Sequence, residues 1–132
     1  MRDNEINGLK LEVKDFMTDG KDMYIDSKLI NGKPGMVLIH ASWCSHCKHF
    51  KPIFNDLVHS IGSEFVFTSV ESEVLKTSQE LSKSLNFQGY PTIKIFDKTG
   101  KIMGEYKGQR TSEAILKYIC KVYDYCMKSK SK

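Results

Sequence analysis

Apolar positions in this chain follow two rhythms. Met36 to Ala41 is continuously apolar except for His40, the pattern of a strand buried on both faces. Phe50, Ile53, Phe54, Leu57, Val58 and Ile61 then recur at spacings of three and four. That spacing predicts a helix over Cys44 to Ile61, stopped by Gly62 and kinked at Pro52. Phe65 to Val70 predicts a second strand. Val74 to Leu85 predicts a helix anchored by Leu75, Leu81 and Leu85. Thr92 to Phe96 predicts a third strand, which the turn Asp97-Lys98-Thr99-Gly100 joins to Ile102–Tyr106 as an antiparallel hairpin. A final helix is capped by Thr111 or Ser112 and places Ile115, Ile119, Val122 and Cys126 on its inner stripe. Leu9 to Val13 alternates as a weak strand. Asp15 to Gly35 is the least legible part. Turn signals at Asp19-Gly20, Asn31-Gly32 and Pro34-Gly35 bracket "KDMYIDSKLI", read as a short helix or an irregular excursion.

Strand, helix, strand, helix, strand, strand, helix describes an α/β domain. The expectation is a central mixed sheet of four to five strands with helices on both faces. A chain of 132 residues fits one domain with a real core. The expected layout is a single domain over 1–132: a core at about 36–125, an N-terminal strand and irregular extension at 1–35, and a basic tail at 128–132. The net charge of +4 owes much to Lys128, Lys130 and Lys132, a solvated end rather than a nucleic-acid surface. No apolar run reaches the ~18 residues of a membrane span. Nucleic acid and membrane are therefore not expected partners. If Met1 is the native start, the polar opening lacks an apolar leader and a cytoplasmic protein is expected. The lumen of the endoplasmic reticulum would follow only if the chain has been trimmed from a longer one.

Candidate chemistry is concentrated in "VLIHASWCSHCKHFKP", which holds two of the four cysteines, three of the four histidines and the only tryptophan. Cys44 and Cys47 stand where a buried strand meets a helix. They read as redox partners, as metal ligands, or as ordinary core thiols. Four cysteines are too few for a disulfide scaffold at this length. A metal needs two more ligands, and Cys120 and Cys126 lie six apart on a helix, about 120° away from one face. Those two read as small buried hydrophobes. His59 reads as a solvated residue.

This order of elements, with a CxxC at the first strand–helix junction, resembles the thioredoxin fold. Trp43-Cys44-Ser45-His46-Cys47-Lys48 matches the W-C-x-x-C-K site, Pro52 the helix-kinking proline, and Tyr90-Pro91-Thr92 the cis-proline loop. The resemblance spans roughly Met36 to Tyr125, and its details are similar to a catalytic domain of protein disulfide isomerase. His46 stands before the second cysteine as in that group's C-G-H-C, although Ser45 replaces the glycine. Arg110 falls where those domains carry an arginine that swings toward the site. The resemblance implies that Cys44 attacks, that Cys47 resolves the mixed disulfide, and that His46 tunes the potential. It implies that Pro91 in cis sets the Tyr90 backbone against the sulfurs, and that Trp43, Ser45, Tyr90 and Thr92 line the substrate groove, with Phe87 extending its rim. A helix N-terminus favours the Cys44 thiolate on physical grounds too.

One departure stands out. The family's buried acid, six residues before the first cysteine, is Leu38 here, and its lysine partner is Phe67. Replacing both members of a buried pair leaves no unpaired charge, yet it removes the proton relay of Cys47. His40, His46, Arg110 or water is expected to serve instead, although His40, in place of an aromatic residue, reads first as a packed strand residue. The expected function is thiol–disulfide exchange on protein cysteines, with no organic cofactor beyond the Cys44–Cys47 disulfide. The expected partners are protein substrates with thiols or disulfides and an upstream reductase or sulfhydryl oxidase, and a monomer is expected. The alternative is a redox-slow binding or chaperone module for cysteine-containing clients. The lysine-, serine- and isoleucine-rich wording points to an AT-rich genome, and a viral or virion setting would reconcile a cytoplasmic start with oxidising chemistry.

Overall fold

The apolar run becomes the middle of a sheet. In the computed structural model, which describes residues 6–123, Gly35–His40 forms β4, with Met36, Val37, Leu38 and Ile39 all buried. The remaining strands are β1 (Leu9–Lys10), β2 (Phe16–Asp19), β3 (Asp22–Ile25), β5 (Val66–Glu71), β6 (Thr92–Phe96) and β7 (Ile102–Tyr106). The main sheet runs β1-β5-β4-β6-β7. β1 and β4 lie parallel to β5, whereas β6 is antiparallel to both β4 and β7. This is the thioredoxin fold expected above, with five strands.

Alternation along β4 explains its uniform apolarity. Met36 and Leu38 enter one core with Phe50, Phe54 and Leu57 of α2 (Ser45–Ile61) and Ile115 and Ile119 of α5 (Ser112–Tyr123). Val37 and Ile39 enter a second core on the opposite face. There they meet Leu75 of α3 (Ser72–Leu75) and Leu81 and Leu85 of α4 (Gln79–Leu85). Successive strand side chains point to opposite faces, so a strand covered on both sides is apolar throughout. Gly35 opens β4 because a side chain there would collide with the Val66 carbonyl and the Phe96 ring.

Three expectations change. "KDMYIDSKLI" is neither wholly helical nor irregular. Its first half is β3, paired antiparallel with β2 as a separate hairpin, and its second half is α1 (Ser27–Ile30), whose Asp26 cap accepts the Lys28 N–H. The helix read over Val74 to Leu85 breaks into α3 and α4. Ser78 starts the second by accepting the Leu81 N–H at 3.1 Å, and a hydroxyl that caps ends one helix and begins another. In α5, Ile115 and Ile119 are buried but Val122 is 39% exposed. Cys126 and the basic tail lie outside the described residues. Cys120 is half-buried and disulfide-bonded rather than a free packed thiol. No helix among the described residues is long and apolar enough to cross a membrane.

Candidate functional site at the start of helix α2

β4 ends at His40, and the Cys44 N–H returns to the Ala41 carbonyl at 3.2 Å. Cys44 is extended (φ −91°, ψ 119°) and occupies the N-cap of α2. Its Sγ accepts the Cys47 N–H at 3.3 Å. A serine or aspartate usually does this; here sulfur satisfies a donor that the helix leaves orphaned. Cys44 and Cys47 are both free thiols, 8% and 4% exposed. The Tyr90–Pro91 bond is cis, and the Tyr90 carbonyl lies 3.6 Å from the Cys44 Sγ, positioned to accept its S–H.

The environment separates the two thiols. Burial pushes Cys44 up, but the Cys47 side chain, the backbone N–H groups of Cys47 and His46, and the Arg110 charge outweigh it, and the net shift is downward. Cys47 is pushed up to about 11, first by burial, and the Cys44 sulfur adds to the rise. The surroundings thus favour an anion on the first sulfur and disfavour it on the second.

The other anticipated residues are placed unevenly. Trp43 is 65% exposed and packs edge-on against Tyr90 at 5.4 Å, and Phe87 continues this rim 5.5 Å from Tyr90. Ser45 and His46 are exposed in the first turn of α2. His46 acts on the Cys44 sulfur through its backbone N–H. Thr92 is buried, with its hydroxyl donating to the Gly89 carbonyl at 2.7 Å, so it braces the proline loop, and it lines a polar cavity together with Tyr90 and Pro91. Arg110 is exposed and shares a polar cavity with Tyr90, Pro91 and Lys94. Lys94 is a feature that sequence reasoning missed. It is buried, its Nζ donates to the Asn86 carbonyl at 3.1 Å, and it lies 3.4 Å from Glu105. Only its place in the strand "TIKIF" was legible.

His40 is half-buried and is held down to about 4, chiefly by burial and then by the charges of Lys51 and Lys10. Its folded value lies below the unfolded 6.5. Between these values the unfolded chain takes up a proton that the folded chain refuses, so stability falls as pH drops through that window. Allowing for partial exposure, the loss should be about 1–2 kcal/mol. Urea unfolding of the wild type and His40→Phe at pH 7 and pH 4.5 tests this. The variant should lose less stability on acidification, and equal losses would exclude His40 as the source.

A dithiol whose first sulfur caps a helix, set against a cis-proline loop at the ends of the central strands of a five-stranded mixed sheet, defines a thioredoxin-fold domain. The chain belongs to the thioredoxin family, as a domain of the protein disulfide-isomerase type: the Thioredoxin family model matches residues 18–121. It is 34% identical over 98 residues to protein disulfide-isomerase tigA of Aspergillus niger, covering 71% of this chain and 26% of that protein. It is 31% identical over 124 residues to a protein disulfide-isomerase of Datisca glomerata, covering 89% and 24%. The chain thus spans about a quarter of the length of these curated relatives. Among solved structures, human ERp44 form I superposes with a TM-score of 0.68 at 22% identity, covering 89% of this chain and 29% of that one. The Trx4 domain of ERdj5 superposes with a TM-score of 0.64 at 16% identity, covering 91% and 98%. These two likenesses concern the fold.

Proposed function

We propose that this domain is a thiol–disulfide oxidoreductase acting on protein cysteines. The observation that carries the reading is the opposite displacement of its two thiols, Cys44 downward as a helix cap and Cys47 upward by burial. The Cys44 thiolate attacks a substrate disulfide, forming a mixed disulfide and releasing one substrate thiolate. Cys47 then attacks the Cys44 sulfur, releases the second substrate thiolate and closes the Cys44–Cys47 disulfide. The reverse sequence oxidises a client dithiol. The two electrons reside on the sulfurs, so no organic cofactor takes part. Tyr90, held beside Cys44 by Pro91, offers its backbone to an extended client, and Trp43 offers an apolar rim. The charge of Arg110 favours the Cys44 thiolate, and His46 tunes the pair from the exposed first turn. Recycling requires a reductase or a sulfhydryl oxidase, whether the setting is cytoplasm, a virion or an oxidising compartment.

Equilibration in glutathione buffers, followed through the single Trp43, tests the proposal. A reversible two-electron transition is expected. Stabilising the Cys44 thiolate stabilises the reduced form, so the potential should lie nearer the about −180 mV of an isomerase than the about −270 mV of a reductase. Absence of a reversible transition would sink the redox reading.

A second reading has one observation in its favour. Leu38 and Phe67, 1% and 3% exposed, lie in one apolar cluster where the family's charged pair would stand. A domain without that relay fits a slow binding or chaperone module for cysteine-bearing clients. Client capture that survives Cys44→Ser would favour it.

A further inference from the structure

A cavity of about 450 Å³ opens behind Cys47, between the ends of β1, β4 and β5 and the start of α2. Cys47 and His40 both line it. The Cys47 sulfur is also engaged by the backbone N–H of Ala41, the residue that follows His40. This matters because Cys47 is 4% exposed and holds its proton tightly. When it attacks the mixed disulfide, that proton must go to some acceptor. Leu38 and Phe67, which stand in the apolar core, have no group that could accept it.

The cavity wall contains several titratable groups. Lys10 comes from β1, Lys48 and Lys51 from α2, Glu12 from the segment after β1, and Glu71 from the end of β5. The lysines are ammonium donors, and Lys51 and Lys10 act on His40 as positive charges. Glu12 is exposed. Glu71 is half-buried and stands beside His40 in the β4–β5 register. His40 is held neutral by burial and those lysines. A neutral imidazole has one nitrogen to accept a proton and another to donate.

Resting on the oxidoreductase reading above, we infer that His40 is the proton acceptor for Cys47, taking the thiol proton through this cavity as Cys47 attacks. The step balances. The Cys47 S–H and the Cys44–substrate S–S bonds break, and the Cys44–Cys47 S–S bond forms. The substrate leaves as thiolate, and the proton passes to His40 and then to solvent. Because protonated His40 is disfavoured, it hands the proton on quickly and acts as a relay, not a store. In the mixed disulfide the Cys44 sulfur no longer carries charge, so its share in raising Cys47 disappears and the transfer becomes easier.

Stopped-flow reaction of the reduced protein with 5,5′-dithiobis(2-nitrobenzoate) separates the steps. The first nitrothiobenzoate released reports attack by Cys44, and the second reports resolution by Cys47. In the wild type the second rate should vary little between pH 6 and pH 8. In His40→Phe and His40→Gln it should fall by about 10²-fold at pH 7, the lower range for general-base assistance. It should then rise tenfold per pH unit and meet the wild-type rate about two units higher, at about pH 9, as Cys47 in the mixed disulfide comes to ionise unaided. The first rate should be unchanged. The glutamine variant guards against a packing defect of the phenylalanine. A second rate in both variants equal to wild type, or lowered in parallel at every pH, would overturn the relay. So would a loss confined to Glu71→Gln. If the wild type shows no first phase, the oxidoreductase reading itself fails, a result distinct from a failure of the second phase alone.

Discussion

Cys44→Ser should lose disulfide exchange by about 10³-fold or more, and Cys47→Ser should stop one step later. A serine hydroxyl is not ionised near neutral pH and cannot take the place of a thiolate nucleophile. The substitution is conservative for folding, because serine is a favoured N-cap and its oxygen can accept the Cys47 N–H that the Cys44 Sγ now holds. Denaturant midpoints of Cys44→Ser should therefore stay close to wild type while exchange disappears, which separates chemistry from stability. Cys47→Ser retains the nucleophile but lacks the resolving sulfur, so client should accumulate as a mixed disulfide on Cys44. Incubation with a peptide disulfide followed by mass spectrometry tests both. The expected result is no adduct for Cys44→Ser and a stable single adduct for Cys47→Ser. An adduct confined to Cys44→Ser would reverse the assignment of nucleophile and resolver, and equal yields in the two variants would abolish it.

What the sequence revealed follows from where information is local. The strand Met36 to Ala41, the long helix and the Thr92–Tyr106 hairpin were legible because each carries its own periodicity and its own stop signal. The pairing of Cys44 with Pro91 was legible only by resemblance, since the 3.6 Å approach of Sγ to the Tyr90 carbonyl joins residues far apart in the chain. The β2–β3 hairpin escaped because its strands are short and largely exposed: Met17, Thr18 and Asp19 face solvent, and mainly Met23 and Ile25 reach the core. Its turn signal at Asp19-Gly20 was visible, but the flanking alternation was too weak to read. The break between α3 and α4 did have a signal, Ser78 three residues before Leu81, which apolar spacing alone overrode. The cavity behind Cys47 could not be read from any segment. It brings together Lys10, His40, Lys51 and Glu71 from four elements, and the strand order that does so is a property of the whole sheet.

The same sheet makes Leu38 the most demanding position at which to restore the family's missing carboxylate. Leu38 is 1% exposed in the core that also holds Met36, Phe54 and Phe67. An ionised glutamate there has no partner. Leu38→Glu should cost about 3–5 kcal/mol at pH 7, the penalty for an uncompensated buried charge. Such a carboxyl escapes part of this by protonating, so its pKa rises and the variant should regain stability toward pH 5. Phe67→Lys carries the opposite charge into the same cluster and should be destabilising for the same reason. If the two side chains meet, the double variant should be more stable than the sum of the singles by about 1–3 kcal/mol, the range for residues in one charge network. Urea unfolding of the four proteins measures this coupling directly, and additivity within about 0.5 kcal/mol would show that the two positions do not form a pair here. Resolution by Cys47 in the double variant adds the functional half. With His40 in place, its rate between pH 6 and pH 8 should match wild type, because the proton already has an exit. In a His40→Phe background the restored glutamate should recover most of the lost rate. A strong acceleration by Leu38→Glu with His40 intact would instead show that proton transfer still limits the wild-type domain.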